Sequence, residues 1–333
     1  MNFYDCIRSA LPVFIGVLCV MLWASCHPAD TNDRYTPSDQ HQPEDGSAEA
    51  SKVPEFFLPA LQHTEEVIHH FAYDLVYNEI HEQAQWVAYT LKPESLVKRC
   101  SRTDDFRIDP LVSSGTADVN DYRGSGYDRG HLVPAGDMVW STTAMTESFF
   151  FSNISPQNPS FNRGIWKKLE ELMRTWAKDA DSLCIVTGPL LTEGLPTLGG
   201  NAVSIPKAYF KVILRFKGAQ MKGIGFVLPN LRSTQSLKTY ALSIDSVESL
   251  TGIDFFAGLS DDTENQVESI LCSSCWTWTV NQNVYQYDES SSQSKSGRSS
   301  TSVQCSGTTK KGRRCRNRTK NASGYCHHHV GQQ

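Results

Sequence analysis

One segment of this chain is periodic enough to dictate its own conformation. Between positions 162 and 178 the apolar residues Ile165, Trp166, Leu169, Leu172, Met173, Trp176 and Ala177 recur at steps of three, four, seven and eight, which predicts a helix with one continuous apolar stripe. Such a stripe has to be buried against another element. The surrounding chain offers strands for it: 86–91, 149–154, 183–187, 208–216 and 223–228 are short runs rich in β-branched and aromatic residues. Segments 236–242 and 244–251 predict shorter helices, the second closed by Gly252 as a C-cap. Residues 68–280 therefore read as one mixed α and β domain.

The flanks differ in composition. Residues 10–25 form an apolar run too short for a spanning helix, which needs about 20 residues, but suited to a secretory signal. Ala24 and Ser25 before Cys26 resemble a lipoprotein signal of bacterial type, so residues 1–26 are expected to direct export to the cell envelope or beyond, with Cys26 carrying a lipid anchor in the membrane. Simple cleavage and an uncleaved anchor are the alternatives. Residues 27–67 read as a polar linker, 281–304 as a second one rich in Ser and Gln, and 305–329 as a small Cys/His module. The nearby pair Cys272 and Cys275 lacks a second pair to complete a metal site and suggests a local disulfide or buried thiols.

Chemistry in the body has few candidates. Between Glu82 and Cys326 the only histidine is His131, so proton transfer by imidazole near neutrality can come from one place. Gly124, Gly126 and Gly130 surround it and permit close backbone approach, while Asp128 and Arg129 supply an acceptor and a phosphate-competent fork. A histidine beside a carboxylate is also a common structural arrangement.

The tetrapeptide Asp128-Arg129-Gly130-His131 resembles the DRGH motif of the DNA/RNA non-specific endonucleases, a ββα-metal family. The likeness continues in order through 152–157 (SNISPQ), 161–170 (FNRGIWKKLE), 187–189, 205–207, 228–230 and 248–256, so it spans roughly residues 70 to 260. It implies an α+β, ββα-metal (His-Me finger) nuclease fold, with a central mostly antiparallel sheet flanked by helices. It further implies a metal-dependent endonuclease that hydrolyses DNA and RNA without strong sequence preference and leaves 5′-phosphate ends. A homodimer is compatible with it. The different-class alternative is a catalytically silent nucleic-acid-binding surface protein.

Carried over by motif, His131 is the general base, Asn162 the direct protein ligand of Mg²⁺ (or Mn²⁺), and Glu170 the acceptor for a water of that ion. A neutral amide oxygen suits a hard cation that keeps most of its water shell. Arg174, four residues beyond Glu170, is expected to pair with it or with phosphate. Arg129 is expected at phosphate or in support of the site, and Arg102 resembles the family's upstream arginine. Asp128 and Asn153 complete the expected substrate-binding group, with support of the site or a purely structural role as the other readings of Asn153. On a continuous helix, Glu170 and Arg174 fall about 80° and about 120° from Asn162, whose own direction matches the apolar stripe. Asn162 as a simple helix cap is the competing reading.

Charge carries a paradox. Lys and Arg number 31 against 36 Asp and Glu, a net of −5, which argues against a polyanionic partner. The average conceals a division: residues 301–333 hold Lys310, Lys311, Arg313, Arg314, Arg316, Arg318 and Lys320 with no acid, leaving −12 on residues 1–300. In that basic tip, Cys305, Cys315, Cys326 and His329 have the ligand types of a Zn²⁺ site, at spacings longer than those of common zinc fingers. Oxidation of the thiols is the alternative.

Overall fold

The computed structural model describes residues 53–179, 182–217, 220–281, 283–287, 302–309, 312–319, 323–326, 329 and 332. The expected signal, Cys26, the linker residues 27–52 and most of the second linker lie outside the described residues.

Seven antiparallel strands form the central sheet, in the order Val67–His69, Asp74–Asn78, Gln83–Leu91, Ser182–Pro189, Ala208–Lys217, Gln220–Pro229 and Ala241–Leu242. Gln83–Leu91 pairs directly with Ser182–Pro189, so the chain between them is one long excursion from the sheet. That excursion carries both the DRGH segment and the periodic helix.

Both faces of the sheet are covered, which is why its central strands read as nearly continuous apolar runs. Side chains alternate across the pleat. Tyr89, Ile185, Ile213 and Phe226 face Trp166, Leu169, Leu172, Met173 and Trp176 of the helical segment. Trp86, Val186, Phe210 and Val212 face Ile244, Val247, Phe255 and Val267 on the other side. Leu169 is fully buried, and its truncation to alanine is expected to cost ~2–5 kcal/mol. Ile244–Thr251 is a helix as expected: Ser243 caps it by accepting from the Ser246 amide, and Gly252 ends it at φ 70°.

Several sequence expectations are corrected. The helix is α-helical only over Lys167–Asp179; Phe161–Trp166 forms a wider π-like turn broken at Gly164, whose φ of −108° and ψ of −109° are not helical. The angular relation expected between Asn162 and Glu170 assumed an unbroken helix and does not apply. Segment 149–154 is not a strand: Phe151–Asn153 makes a 3-10 turn and the strand starts at Ile154. A short apolar run signals burial, not backbone type. Likewise 236–242 is a 3-10 turn, Leu237–Tyr240, followed by a strand pair with Gly225 and Phe226.

The linker boundaries also move. Val53 and Phe57 are buried, and the Phe57 ring lies 5.0 Å from that of Phe216, so the polar linker ends before residue 53 and not at 67. At the other end the body continues to Tyr287, because Val284 is buried and Gln286–Tyr287 pairs in parallel with Val97–Lys98. Cys272 and Cys275 form a local disulfide.

Candidate active site

The DRGH segment is itself a strand. Asp128–His131 pairs antiparallel with Ile154–Gln157, with His131 opposite Ile154 and Gly130 opposite Ser155. Gly130 is required by space: a Cβ there would lie 2.2 Å from Gln157 Cδ. Gly126, just upstream, turns at φ 81°, where side chains other than glycine are strained. The chain then passes through Phe161–Trp166 into the helix, completing two strands and a helix around one point.

His131 sits in an aromatic and cationic cage. Its ring meets Phe149 edge-on at 4.8 Å and Phe106 at 5.6 Å, and Arg102 and Arg129 lie over those two rings at 4.8 and 4.0 Å. Burial, reinforced by the charges of Arg102 and Arg129, lowers the imidazole pKa to about 3. The ring is therefore neutral across the physiological range. Nε2 is buried without a hydrogen-bond partner among the described residues, which leaves Nδ1 for the cleft side.

A cleft of about 380 Å³ brings together Arg102, Arg129, His131, Asn162, Glu170 and Arg174. A neighbouring hollow of about 450 Å³ shares Arg102, Arg129 and Asn162 and adds Arg123. Asn162 does not cap the helix. Its Nδ2 donates to Asp128 Oδ2 at 2.9 Å, so its carbonyl oxygen is the atom left for a ligand. This fits a hard cation, as does the adjacent carboxylate of Glu170. Asp128 accepts further from Arg163 Nε at 2.8 Å, so its oxygens orient Asn162 and Arg163. Asn153 has the site-supporting position that is the other expectation for it. Fully buried, it accepts from the Val133 amide at 2.9 Å and donates to the Val133 and Ser148 carbonyls, which ties down the chain just after His131.

Beneath the cleft lies a charged network that sequence reasoning mostly missed. Arg174 donates to Asp137 at 2.6 Å and lies 3.6 Å from Glu170, and Asp137 also accepts from the Tyr89 hydroxyl at 2.9 Å. Lys211 is fully buried on the site-facing side of its strand, with Nζ 5.0 Å from the Trp166 ring and no hydrogen-bond partner among the described residues. Burial raises the Glu170 pKa, against the attraction of Arg174 and Lys211, and lowers that of Lys211. Lys211 had one legible signal, a lysine inside an otherwise apolar strand. Asp137 and Tyr285 had none. Tyr285 lines the cleft from the expected linker and donates to the Gly136 carbonyl at 3.1 Å.

In the basic tip, the side chains of Cys305, Cys315, Cys326 and His329 converge, with their ligand atoms all within 4.8 Å of one another.

Two antiparallel strands and a helix around a neutral histidine, an asparagine amide and a buried carboxylate define a nuclease of the ββα-metal class. The profile of the DNA/RNA non-specific endonuclease family matches residues 59–262, and the chain belongs to that family. A nuclease of Nostoc sp. is 34% identical over 209 residues, covering 59% of this chain and 75% of its own. Human mitochondrial endonuclease G is 35% identical over 199 residues, covering 55% of this chain and 67% of its own. Nuclease C1 of Cunninghamella echinulata is 34% identical over 212 residues, covering 58% and 83%. The solved structure of EndoG in its complex with EndoGI superposes with a TM-score of 0.56 at 29% identity, over 62% of this chain and 90% of that one. The protein is a metal-dependent DNA/RNA endonuclease.

Proposed function

We propose that His131 is the general base and that Asn162 holds a single Mg²⁺ ion, for which Mn²⁺ can substitute. The observation that carries this reading is the convergence of His131, Asn162 and Glu170 in one cleft with Arg102 and Arg129. When bound, the divalent ion supplies charge neutralisation at the scissile phosphate and the leaving oxygen. His131 Nδ1 takes the proton of the attacking water; its lowered pKa keeps the base form populated without a neighbouring carboxylate. Glu170 orients water beside Asn162. Arg102 and Arg129 bind the phosphate from the rings they rest on, and Arg123 extends the positive lining along the adjoining hollow, as a polymeric substrate requires.

These contacts are to phosphate and carry no base reading, which supports cleavage of DNA and RNA without sequence preference; the 5′-phosphate ends in this proposal come from the family resemblance. The proposal includes export, with Cys26 as the lipid anchor. A homodimer is the remaining expected partner.

A plasmid-nicking assay tests the chemistry. EDTA is expected to stop cleavage and Mg²⁺ to restore it. His131→Ala is expected to lose ~10²–10⁴-fold in rate with an unchanged circular-dichroism spectrum. Cleavage that survives EDTA, or a His131→Ala protein as fast as the wild type, overturns the assignment.

A further inference from the structure

The C-terminal module lies beyond residue 262, where the family match ends, and its construction points elsewhere than hydrolysis. We propose that Cys305, Cys315, Cys326 and His329 bind a structural Zn²⁺ ion, and that the ion folds a basic module which grips the phosphate backbone of nucleic acid. The second half of this proposal rests on the nuclease reading of the body.

The metal assignment follows from edge lengths. A tetrahedral ion with Zn–S of about 2.3 Å and Zn–N of about 2.0 Å has S···S edges of about 3.8 Å and S···N edges of about 3.5 Å. Cys315 Sγ and Cys326 Sγ are 3.9 Å apart, and His329 Nδ1 lies 3.5 Å from Cys305 Sγ and 3.3 Å from Cys326 Sγ. A disulfide would bring sulfurs to about 2.05 Å, far inside the 3.9 Å that separates Cys315 Sγ from Cys326 Sγ. The donors around the sulfurs suit thiolates: the Gly307 and Cys326 amides point at Cys305 Sγ at 3.3 and 3.2 Å. Gly307 also makes room for the ligand, since a Cβ there would stand 2.4 Å from that of His329.

Folding energetics agree. Among the described residues, the module's buried hydrophobic cluster consists of the three cysteines alone. So short a segment needs a metal or covalent staple to order its backbone. Four protein ligands leave no open position for water, which makes the site structural and not catalytic.

The fold the ion imposes has an electrostatic result. Arg313, Arg314, Arg316 and Arg318 are all exposed on the chain flanking the ligand Cys315. With Lys310, Lys311 and Lys320 they make seven positive charges in a sequence segment without an acid, in a chain whose first 300 residues carry −12. Sequence-independent attraction to a polyanion is what that acidic body lacks.

The full-length protein provides the test, compared with a Cys315→Ser/Cys326→Ser variant. Elemental analysis should find one more zinc per chain in the parent, and cobalt substitution should give thiolate charge-transfer absorption only there. Equal zinc in both, or thiol titration showing the cysteines oxidised in the purified parent, overturns the metal site. Binding to a DNA duplex is then followed against salt without Mg²⁺, in a His131→Ala background. The double variant should bind ~10-fold or more weakly at 0.1 M salt, and its slope of log K against log [salt] should fall by ~1 for each phosphate that the module no longer neutralises. Zinc bound with an unchanged slope overturns the grip. Mg²⁺-dependent cleavage of a short oligonucleotide by the zinc-free variant separates either failure from a failure of the nuclease reading.

Discussion

Arg174 donates through Nε to Asp137 Oδ1 at 2.6 Å, with both side chains inside the protein. The residue expected to pair with Glu170 or with phosphate is thus engaged first by an aspartate from a different part of the excursion. Burial opposes the charge on Arg174, and Asp137 and Glu170 hold it. On the proposed reading Arg174 is a positioning residue, bracing Glu170 from below. Removing one partner of a buried pair leaves the other charge unpaired, so Asp137→Ala should destabilise the protein by ~3–5 kcal/mol. Urea unfolding measures this; an unchanged midpoint would show that the pair does not hold the site floor.

The pH dependence should follow Glu170. Burial raises its pKa above the ordinary carboxylate range, and the charged form is the one proposed to accept from water, so cleavage should fall as pH drops through that raised value. Unfolded, the group titrates normally; the folded state therefore gains stability from the retained proton at low pH and loses it as pH rises through the raised pKa. Glu170→Gln should flatten both the acid limb of the rate profile and this part of the urea midpoint's pH dependence. His131, neutral above about 3, is no source of such a limb. An acid limb unchanged in Glu170→Gln would refute the assignment.

Lys211 tunes the same carboxylate. Its charge is one of two attractions that lower the Glu170 pKa, so Lys211→Met should move the acid limb to higher pH. Methionine fills a similar volume between Tyr89 and Trp166, and a buried ammonium without a hydrogen bond is costly, so the variant should fold at least as stably. A limb that moves to lower pH, or stays in place, contradicts this role.

Truncation separates the two candidate ends of the body. A chain ending at residue 287 should keep the parent's rate on short oligonucleotides. One ending at residue 280 removes the Tyr285 hydrogen bond to Gly136 and the Asn281 amide bond to Thr175 on the site helix, and should be slower and less stable. Equal rates and equal thermal midpoints would place the catalytic boundary before residue 281.

Much of this protein is local in origin. The apolar stripe from Ile165 to Ala177, the strand cores around Val186, Val212 and Phe226, and the cap at Gly252 are set by residues within a few positions of one another, where periodicity and backbone preference act. The DRGH segment and its relation to Asn162 and Glu170 were also legible, as a motif in order along the chain. The break at Gly164 was not, because a helical pattern constrains side-chain burial more than backbone path.

Tertiary structure alone decided what supports the chemistry. Asp137, Lys211 and Tyr285 come from three distant parts of the chain and meet beside Arg174 and Glu170 only once the excursion has folded back on the sheet. Their influence is Coulombic, and it depends on distance and loss of water, neither of which is a property of sequence spacing. The sequence by itself determined which groups are available for proton transfer and metal binding; folding determined the pKa values at which they work.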